Sequence, residues 1–192
     1  MSHLRKVGVR EEFLMAIKPT IYKMNVSVSD MDRNFYGGLN LTLALHPSET
    51  AERMMARMVA YCLNAEENLA FSKGLSAVEE PDVWAHTLDG QISLWIDVGE
   101  PSFERMKKAN SLAKKVMVYS FNTKSDVWWQ KNAMAFGRLG ISVYRFDWVQ
   151  IQLLAQYLER TMTFSVTISG DCAYIATAKG ECELTWENLQ AL

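Results

Sequence analysis

The chain has 192 residues, which is enough for one domain with a substantial core. Apolar residues make up 49% and charged residues 22%, both near the averages of globular proteins, so a disordered or fibrous chain is excluded. The net charge of −2 provides no overall field that would draw the protein to nucleic acid.

Signals for metal binding by cysteine, for secretion and for membranes are absent from the sequence. Cys62, Cys172 and Cys182 form no CxxC pair, and the histidines lie far from them, so neither a zinc site nor a disulfide framework is expected. No stretch approaches the ~20 apolar residues of a membrane span. The N-terminal segment has no apolar run typical of a secretory signal. We therefore expect a cytoplasmic protein that does not enter a membrane.

The first third of the chain predicts a β-hairpin followed by a helix. Residues 20–28 alternate as a strand, residues 29–34 are turn formers, and leucines at every second position favour another strand over residues 39–45. The sequence HPSE at residues 46–49 is typical of a helix start. Five residues then recur at helical spacing and predict a buried helix face: Met54, Met55, Met58, Tyr61 and Cys62.

The middle of the chain predicts two strands joined by a tight turn. Residues 83–86 and 91–98 have strand patterns, and residues 88–90 (LDG) are typical of a turn. Asp97 falls on the strand face opposite to the aliphatic residues, which are Ile92, Leu94, Ile96 and Val98.

The remaining sequence alternates helices with strands and ends in an antiparallel sheet. Helices are expected from Ser102, from Ser125 and over residues 150–160. Strands are expected over residues 115–121, 141–146, 161–169, 172–178 and 182–186. The whole pattern predicts an α/β protein of the α+β type, with a mixed sheet, helices on its faces and added antiparallel hairpins.

Asp82 and Asp97 are the strongest lead to an active site. Asp82 begins one predicted strand and Asp97 lies near the end of the next, so antiparallel pairing would bring the two carboxylates together. Mg²⁺ or Mn²⁺ is usually held by one or two carboxylates with water and substrate phosphate. We therefore predict a metal site with Asp82 and Asp97 as ligands, and with Glu49 or Glu52 of the preceding helix as a third acid.

Pro81-Asp82, followed at a distance by Asp97, is similar to the signature of PD-(D/E)xK nucleases. In those enzymes the acids bind the metal, and a lysine two residues after the second acid orients water and stabilises phosphate charge. Gly99 stands at the position of that lysine. The alternative interpretation is structural, with Pro81-Asp82 as a turn and Asp97 as a cap at the end of its strand.

Basic residues are concentrated between Arg105 and Lys131, directly after an acidic segment. This distribution suits a phosphate track beside a metal centre, but ordinary solvated helix faces give the same pattern and are favoured over that interpretation. Trp128 and Trp129 would stack a nucleobase, or would pack in the core or against a partner. Nucleic acid or a protein partner is therefore expected at this region.

Five separated segments, in the same order, resemble the YaeQ family. They are HPSETAERMM at 46–55, LWIDVG at 94–99, RMKKA at 105–109, DVWWQKN at 126–132 and ERTMT at 159–163. The resemblance implies one domain over residues 15–192, with residues 1–14 as an extension that is flexible or not native. It also implies a bacterial, cytoplasmic protein with a variant PD-(D/E)xK core, the fold of restriction endonucleases, and no assigned activity.

The resemblance further implies that the missing lysine is supplied by the next helix, which carries Lys107 and Lys108. Lys107 is favoured because it follows Phe103 by one helical turn and so borders the apolar face. The alternative is that both lysines only pair with Glu104. Two functions follow as hypotheses: a metal-dependent nuclease or phosphodiesterase, or an inactive nuclease-like protein that binds nucleic acid or a protein partner, in a regulatory role.

Overall fold

A computed structural model describes residues 18–72 and 79–191. The predicted extension at residues 1–14 lies outside these ranges. The strands are β1 (Thr20–Asp30), β2 (Phe35–Leu45), β3 (Leu69–Phe71), β4 (Val83–His86), β5 (Ile92–Val98), β6 (Ala113–Ser120), β7 (Ser142–Phe146), β8 (Thr161–Ser169), β9 (Cys172–Thr177) and β10 (Gly180–Gln190). The helices are α1 (Ala51–Leu63), α2 (Phe103–Leu112), α3 (Ser125–Phe136) and α4 (Trp148–Gln156).

All ten strands join one sheet in the order β2-β1-β8-β9-β10-β7-β6-β5-β4-β3. Only three of the neighbouring pairs are parallel, namely β1 with β8, β5 with β6 and β6 with β7. The remaining pairs are antiparallel, so the sheet is mixed and mostly antiparallel. The prediction of a mixed sheet with helices and antiparallel hairpins is confirmed at this level.

Both faces of the central strands are covered, which explains why β5 and β6 end in continuous buried runs. Helices α1 and α4 contribute to the larger core on one face, where Met54, Met55, Met58 and Cys62 are fully buried. The other face packs Trp95, Val116 and Val118 against Met106 of α2 and Phe136 of α3. The predicted methionine face of α1 is therefore core, as expected.

Helix α1 begins after the HPSE segment that predicted its start, whereas α3 begins at Ser125 as predicted. Helix α1 starts at Ala51, and the hydroxyl of Thr50 accepts the N–H of Arg53 at 3.2 Å. Ser48 is not the cap because its hydroxyl lies 2.7 Å from the imidazole of His46. Ser125 is already helical and its hydroxyl donates to Glu100 at 2.8 Å. In both places the serine hydroxyl contacts a nearby side chain, and that of Ser125 also accepts the N–H of Asn122 at 3.1 Å.

Strand β3 was not predicted, since three residues carry too little pattern to detect and the strand pairs only with β4. Within the ranges that the structure describes, no helix is long and apolar enough to cross a membrane.

Candidate functional site

Asp82 and Asp97 lie side by side where β4 begins and β5 ends. The register pairs Val83 with Ile96, and the N–H of Asp82 donates to the carbonyl of Ile96 at 3.0 Å. One carboxylate oxygen of Asp82 also accepts the N–H of Val98 at 2.7 Å. Both residues are buried, at 8% and 3% exposure. The antiparallel pairing thus places the two acids together as the sequence indicated.

Two arginines of α1 hold Asp82 and Glu49. Arg53 donates through Nη2 to both oxygens of Asp82, at 2.7 and 2.9 Å, and through Nη1 to Glu49 at 2.8 Å. Arg57, itself buried, donates through Nη2 to the second oxygen of Glu49 at 2.8 Å. Arg53 and Arg57 are four residues apart on α1 and so share one helix face, and Glu49 lies four residues before Arg53, just ahead of the helix.

Arg105, in the first turn of α2, engages Asp97 in the same manner. Its Nε and Nη2 donate to the two carboxylate oxygens at 2.6 and 2.8 Å, the bidentate geometry that guanidinium favours. Nη2 also donates to the carbonyl of Glu80 at 2.8 Å. The guanidinium lies over the ring of Trp95, 5.7 Å from its centroid. Arg105 therefore joins α2, β5 and the segment before β4.

We call the set Glu49, Arg53, Arg57, Asp82, Asp97 and Arg105 the acidic cluster. It contains as many guanidinium groups as carboxylates, so its charges balance. Burial raises the pKa of Asp97; Arg105 opposes this effect, and the neighbouring charge of Asp82 adds to it. The pKa of Arg105 is also raised, chiefly by its hydrogen bond with Asp97. The ion pairs compensate the buried carboxylates of this cluster.

The carboxylates of the acidic cluster do not fit a divalent cation in this arrangement. Mg²⁺ requires free carboxylate oxygens and a local negative charge. Here each of the three acids already accepts from guanidinium, and Asp82 from a backbone N–H besides. Among the described residues, no group of three or more histidine, cysteine, aspartate or glutamate side chains is placed to hold a metal.

Gly99 has a backbone conformation that explains why no lysine stands there. Its φ is +118°, a region that side-chain-bearing residues rarely adopt. Space is not the obstacle, because an added Cβ would meet only the ring of Phe121, at 4.0 Å. The N–H of Gly99 donates to the carbonyl of Tyr119 at 2.9 Å and so fixes the turn out of β5.

Lys107 and Lys108 lie on the exposed side of α2, whose buried residues are Met106 and Ala109. Lys107 is exposed, although it lies one helical turn after Phe103, which packs against the core. Lys108 pairs with Glu79 rather than with Glu104, and neither lysine makes an ion pair with Asp82, Asp97 or Glu49. A catalytic role for either lysine stays a prediction.

The cation that α2 brings to Asp97 is Arg105, not Lys107 or Lys108. A signal for it was present: Arg105 lies three residues after the cap Ser102, in the turn of α2 that directly follows the end of β5. The arginines of α1 carried a similar signal, at helical spacing from Glu49.

Helices α2 and α3 form a basic layer on the other face of the sheet. Helix α2 carries Arg105, Lys107 and Lys108 against Glu104, and α3 with the residue before it carries Lys124 and Lys131 against Asp126. Lys107, Lys124 and Lys131 are exposed and make no ion pair with any residue that the structure describes. Trp128 and Trp129 are both half-buried and pack against Phe136, so neither is a free stacking platform.

Fold and site together define a mixed α/β protein in which a buried acidic cluster is neutralised by arginines. The family model described as "YaeQ protein" matches residues 15–186. The chain belongs to the YaeQ family. This extent agrees with the segments that suggested the resemblance.

Relatives and solved structures agree over nearly the whole chain. The chain is 40% identical to a YaeQ protein of Salmonella typhi and to one of Escherichia coli, in each case over 88% of this chain and 95% of the relative. The crystal structure of a YaeQ protein from Xanthomonas axonopodis pv. citri matches with a TM-score of 0.88 and 36% identity, over 91% of this chain and 99% of that one. A YaeQ structure from Pseudomonas syringae matches with a TM-score of 0.86 and 30% identity, over 91% and 97%.

Proposed function

We propose that this protein is an inactive nuclease-like protein that binds nucleic-acid phosphates without metal-dependent cleavage. The observation that carries the proposal is the acidic cluster, in which each carboxylate is paired with at least one arginine. Hydrolysis of a phosphodiester by a divalent metal needs those oxygens for the cation. The cluster instead joins α1, β4, β5 and α2.

The order of elements supports a variant of the PD-(D/E)xK core. Helix α1 is followed by the antiparallel meander β3-β4-β5, then by α2, and then by β6 parallel to β5. Asp82 and Asp97 fall at the start of the second and the end of the third strand of this unit, as the signature requires. Gly99, with its positive φ, replaces the lysine of the signature.

The basic layer of α2 and α3 supports phosphate binding. Exposed lysines attract a polyanion through counterion release, and this attraction needs no defined pocket. Lys107, Lys124 and Lys131 remain available for such contacts, because their ammonium groups have no carboxylate partner among the described residues. A basic region on one helical layer offers a local field that the net charge of −2 conceals.

Fluorescence anisotropy with short DNA and RNA strands, at low and at moderate salt, tests the proposal. We expect binding that weakens steeply as salt rises, with the oligonucleotide recovered intact in Mg²⁺. Replacing Lys107, Lys124 and Lys131 together by Glu should abolish it. Lys23→Glu, one such charge reversal on the exposed side of β1, is the matched control for the single change Lys131→Glu and should have little effect.

Asp97→Asn should leave binding unchanged, since the proposal gives the acidic cluster no contact with nucleic acid. Binding that survives the triple lysine change, or that Asp97→Asn abolishes, would contradict the proposal. Complete lack of affinity for both DNA and RNA would overturn it in favour of a protein partner at the same layer.

The second candidate is a metal-dependent phosphodiesterase with Asp82, Asp97 and Glu49 as ligands. The observation in its favour is the pKa of Asp97, which burial raises beside a second carboxylate, as is common at active sites. Arg105 would then take the role of the missing lysine as the cation near the phosphate. This candidate requires Arg53 to release Asp82, and it predicts cleavage in Mn²⁺ that Asp97→Asn abolishes.

A further inference from the structure

A polar cleft of about 320 Å³ lies on the α1 side of the sheet, away from α2 and α3. Its floor comes from β6, β7 and β10, and the tips of the β1–β2 and β8–β9 turns form its rim with the end of α1. The volume is within the range of small-molecule sites. Alternation along β6 turns Lys115, Met117 and Tyr119 into the cleft and Lys114 to the other face.

The floor of the cleft contains a buried donor without an acceptor. The rings of Tyr119 and Tyr144 stack with centroids 5.2 Å apart. The hydroxyl of Tyr119, which is 3% exposed, accepts from Nδ2 of Asn64 at 2.8 Å, and no described residue accepts its own hydrogen. Burial raises the pKa of Tyr119, so the hydroxyl keeps that hydrogen at neutral pH. A buried donor of this kind is costly unless a ligand or water accepts from it.

The charges on the rim fall into two groups. Asp30 is satisfied by Arg33, whose Nε donates to it at 2.6 Å, and Asp32 accepts the N–H of Gly170 at 2.8 Å. The Lys115 ammonium and the Asp171 carboxylate have no hydrogen bond or ion pair with any described residue. The Lys115 ammonium and the Asp171 carboxylate are therefore available to bind a ligand.

These two charges lie toward opposite ends of the cleft. Lys115 precedes Tyr119 by four residues on β6, which corresponds to about 13 Å along a strand. The carbonyl of Asp171 accepts the N–H of Trp186 on β10, and Trp186 pairs with Phe146 on β7. Phe146 lies two residues beyond Tyr144, which pairs with Tyr119 on β6. Asp171 therefore lies beyond Tyr119, on the side away from Lys115. An occupant therefore needs an anionic group at one end and a cationic group at the other.

We propose that this cleft binds a small elongated zwitterion of the basic amino acid or dipeptide class. Lys115 binds its carboxylate, Asp171 binds the distant ammonium or guanidinium, and the Tyr119 hydroxyl donates to a carbonyl or carboxylate between them. Nucleotides are disfavoured, because the lining carries three carboxylates, Asp30, Asp32 and Asp171, against only Arg33 and Lys115, and so repels a phosphate dianion.

Calorimetric titration of the full chain with L-arginine, L-lysine, glycyl-arginine, AMP and UMP tests the proposal. We expect saturable binding of at least one zwitterion, and none of the nucleotides. Lys115→Gln and Asp171→Asn each remove one charged hydrogen bond and should weaken that binding about tenfold or more. Lys114→Gln, the same change one residue away on the opposite face, should alter it by less than about twofold.

Lys115 and Asp171 are exposed, so the variants should melt at the temperature of the unchanged protein, which a thermal scan verifies. Absence of binding by every zwitterion up to about 10 mM would overturn the proposal. So would preferential binding of AMP or UMP, or binding that Lys115→Gln and Asp171→Asn leave intact. These results are independent of the nucleic-acid assay, because the cleft and the basic layer lie on opposite faces of the sheet.

Discussion

The acidic cluster and the basic layer of α2 and α3 treat their charges in opposite ways. In the acidic cluster, carboxylates buried at 9% exposure or less are each held by a guanidinium. On the basic layer, Lys107, Lys124 and Lys131 are exposed, and no described residue pairs with them. Buried charge must be compensated within the protein, whereas exposed charge remains available. The carboxylates, which are suited to catalysis, are engaged in ion pairs within the protein. The lysines, which are suited to phosphate binding, are not paired with any described residue.

Arg57→Ala should have the largest effect if the acidic cluster is structural. The substitution leaves Glu49 buried with one of its guanidinium partners missing, so we expect a loss of about 3–5 kcal/mol in the free energy of unfolding. Urea denaturation measures it, and Arg138→Ala, an exposed arginine that follows α3, is the control. A loss below about 1 kcal/mol would show that the cluster does not hold the fold together.

Gly99→Lys restores the residue of the nuclease signature at the end of β5. Because φ at this position is +118°, we expect the protein to lose about 1–3 kcal/mol of stability and to gain no cleavage activity. Gly99→Ala should incur the same backbone cost, whereas Gly38→Ala, with open space and no positive φ, should not. If Gly99→Lys cleaves DNA or RNA in Mn²⁺, the acids are available for catalysis after all.

Lys131→Gln should weaken nucleic-acid binding a few-fold and equally for all sequences. Loss of one phosphate contact should lower the slope of log affinity against log salt by about 0.7–0.9. Anisotropy titrations at several salt concentrations measure that slope. An unchanged slope would place the phosphate contacts elsewhere than on α3.

The smallest effect concerns pH. Burial raises the pKa of Asp97 above its usual value of 3.8. The carboxyl group therefore loses its proton at a lower pH in the unfolded chain than in the folded protein. Stability contributed at this position is therefore present at acid pH and falls as pH rises through the folded pKa. Asp97→Asn should remove that fall, so unfolding of both proteins is compared from about pH 4 to 7. The account would be contradicted if the free energy of unfolding of the unchanged protein rose relative to that of Asp97→Asn as pH rises. That result would mean that Arg105 lowers the pKa of Asp97 by more than burial raises it.

Strand and helix periodicity was sufficient to predict most of the fold. Apolar alternation in β1 and β2 and the methionine face of α1 are local patterns, and each predicts its element directly. Strand β3 was missed because it is defined by its pairing with residues 83–85 of β4, more than ten positions later in the chain, rather than by a pattern in its own three residues. The start of α1 was misplaced because the cap is Thr50, whereas the hydroxyl of Ser48 contacts the imidazole of His46.

The acidic pair was also predictable, because a short turn between β4 and β5 dictates which residues meet. The neutralisation of the acidic pair by arginines could not be predicted from the sequence pattern. Arg53 and Arg105 reach Asp82 and Asp97 from separate helices, 29 and 8 residues away in the chain, and only the packing of α1 and α2 brings them there. Metal binding by these acids stays a prediction, because the arginine partners bear on it without testing it.

Calorimetric titration of Mn²⁺ into the intact protein, Arg105→Ala and Asp97→Asn tests most directly whether arginines close the acidic cluster. We expect no saturable heat at millimolar metal from the intact protein or from Asp97→Asn. Heat should appear in Arg105→Ala, where Asp97 beside Asp82 loses its guanidinium partner. Saturable heat from the intact protein that Asp97→Asn abolishes would contradict the account and favour a metal-dependent phosphodiesterase.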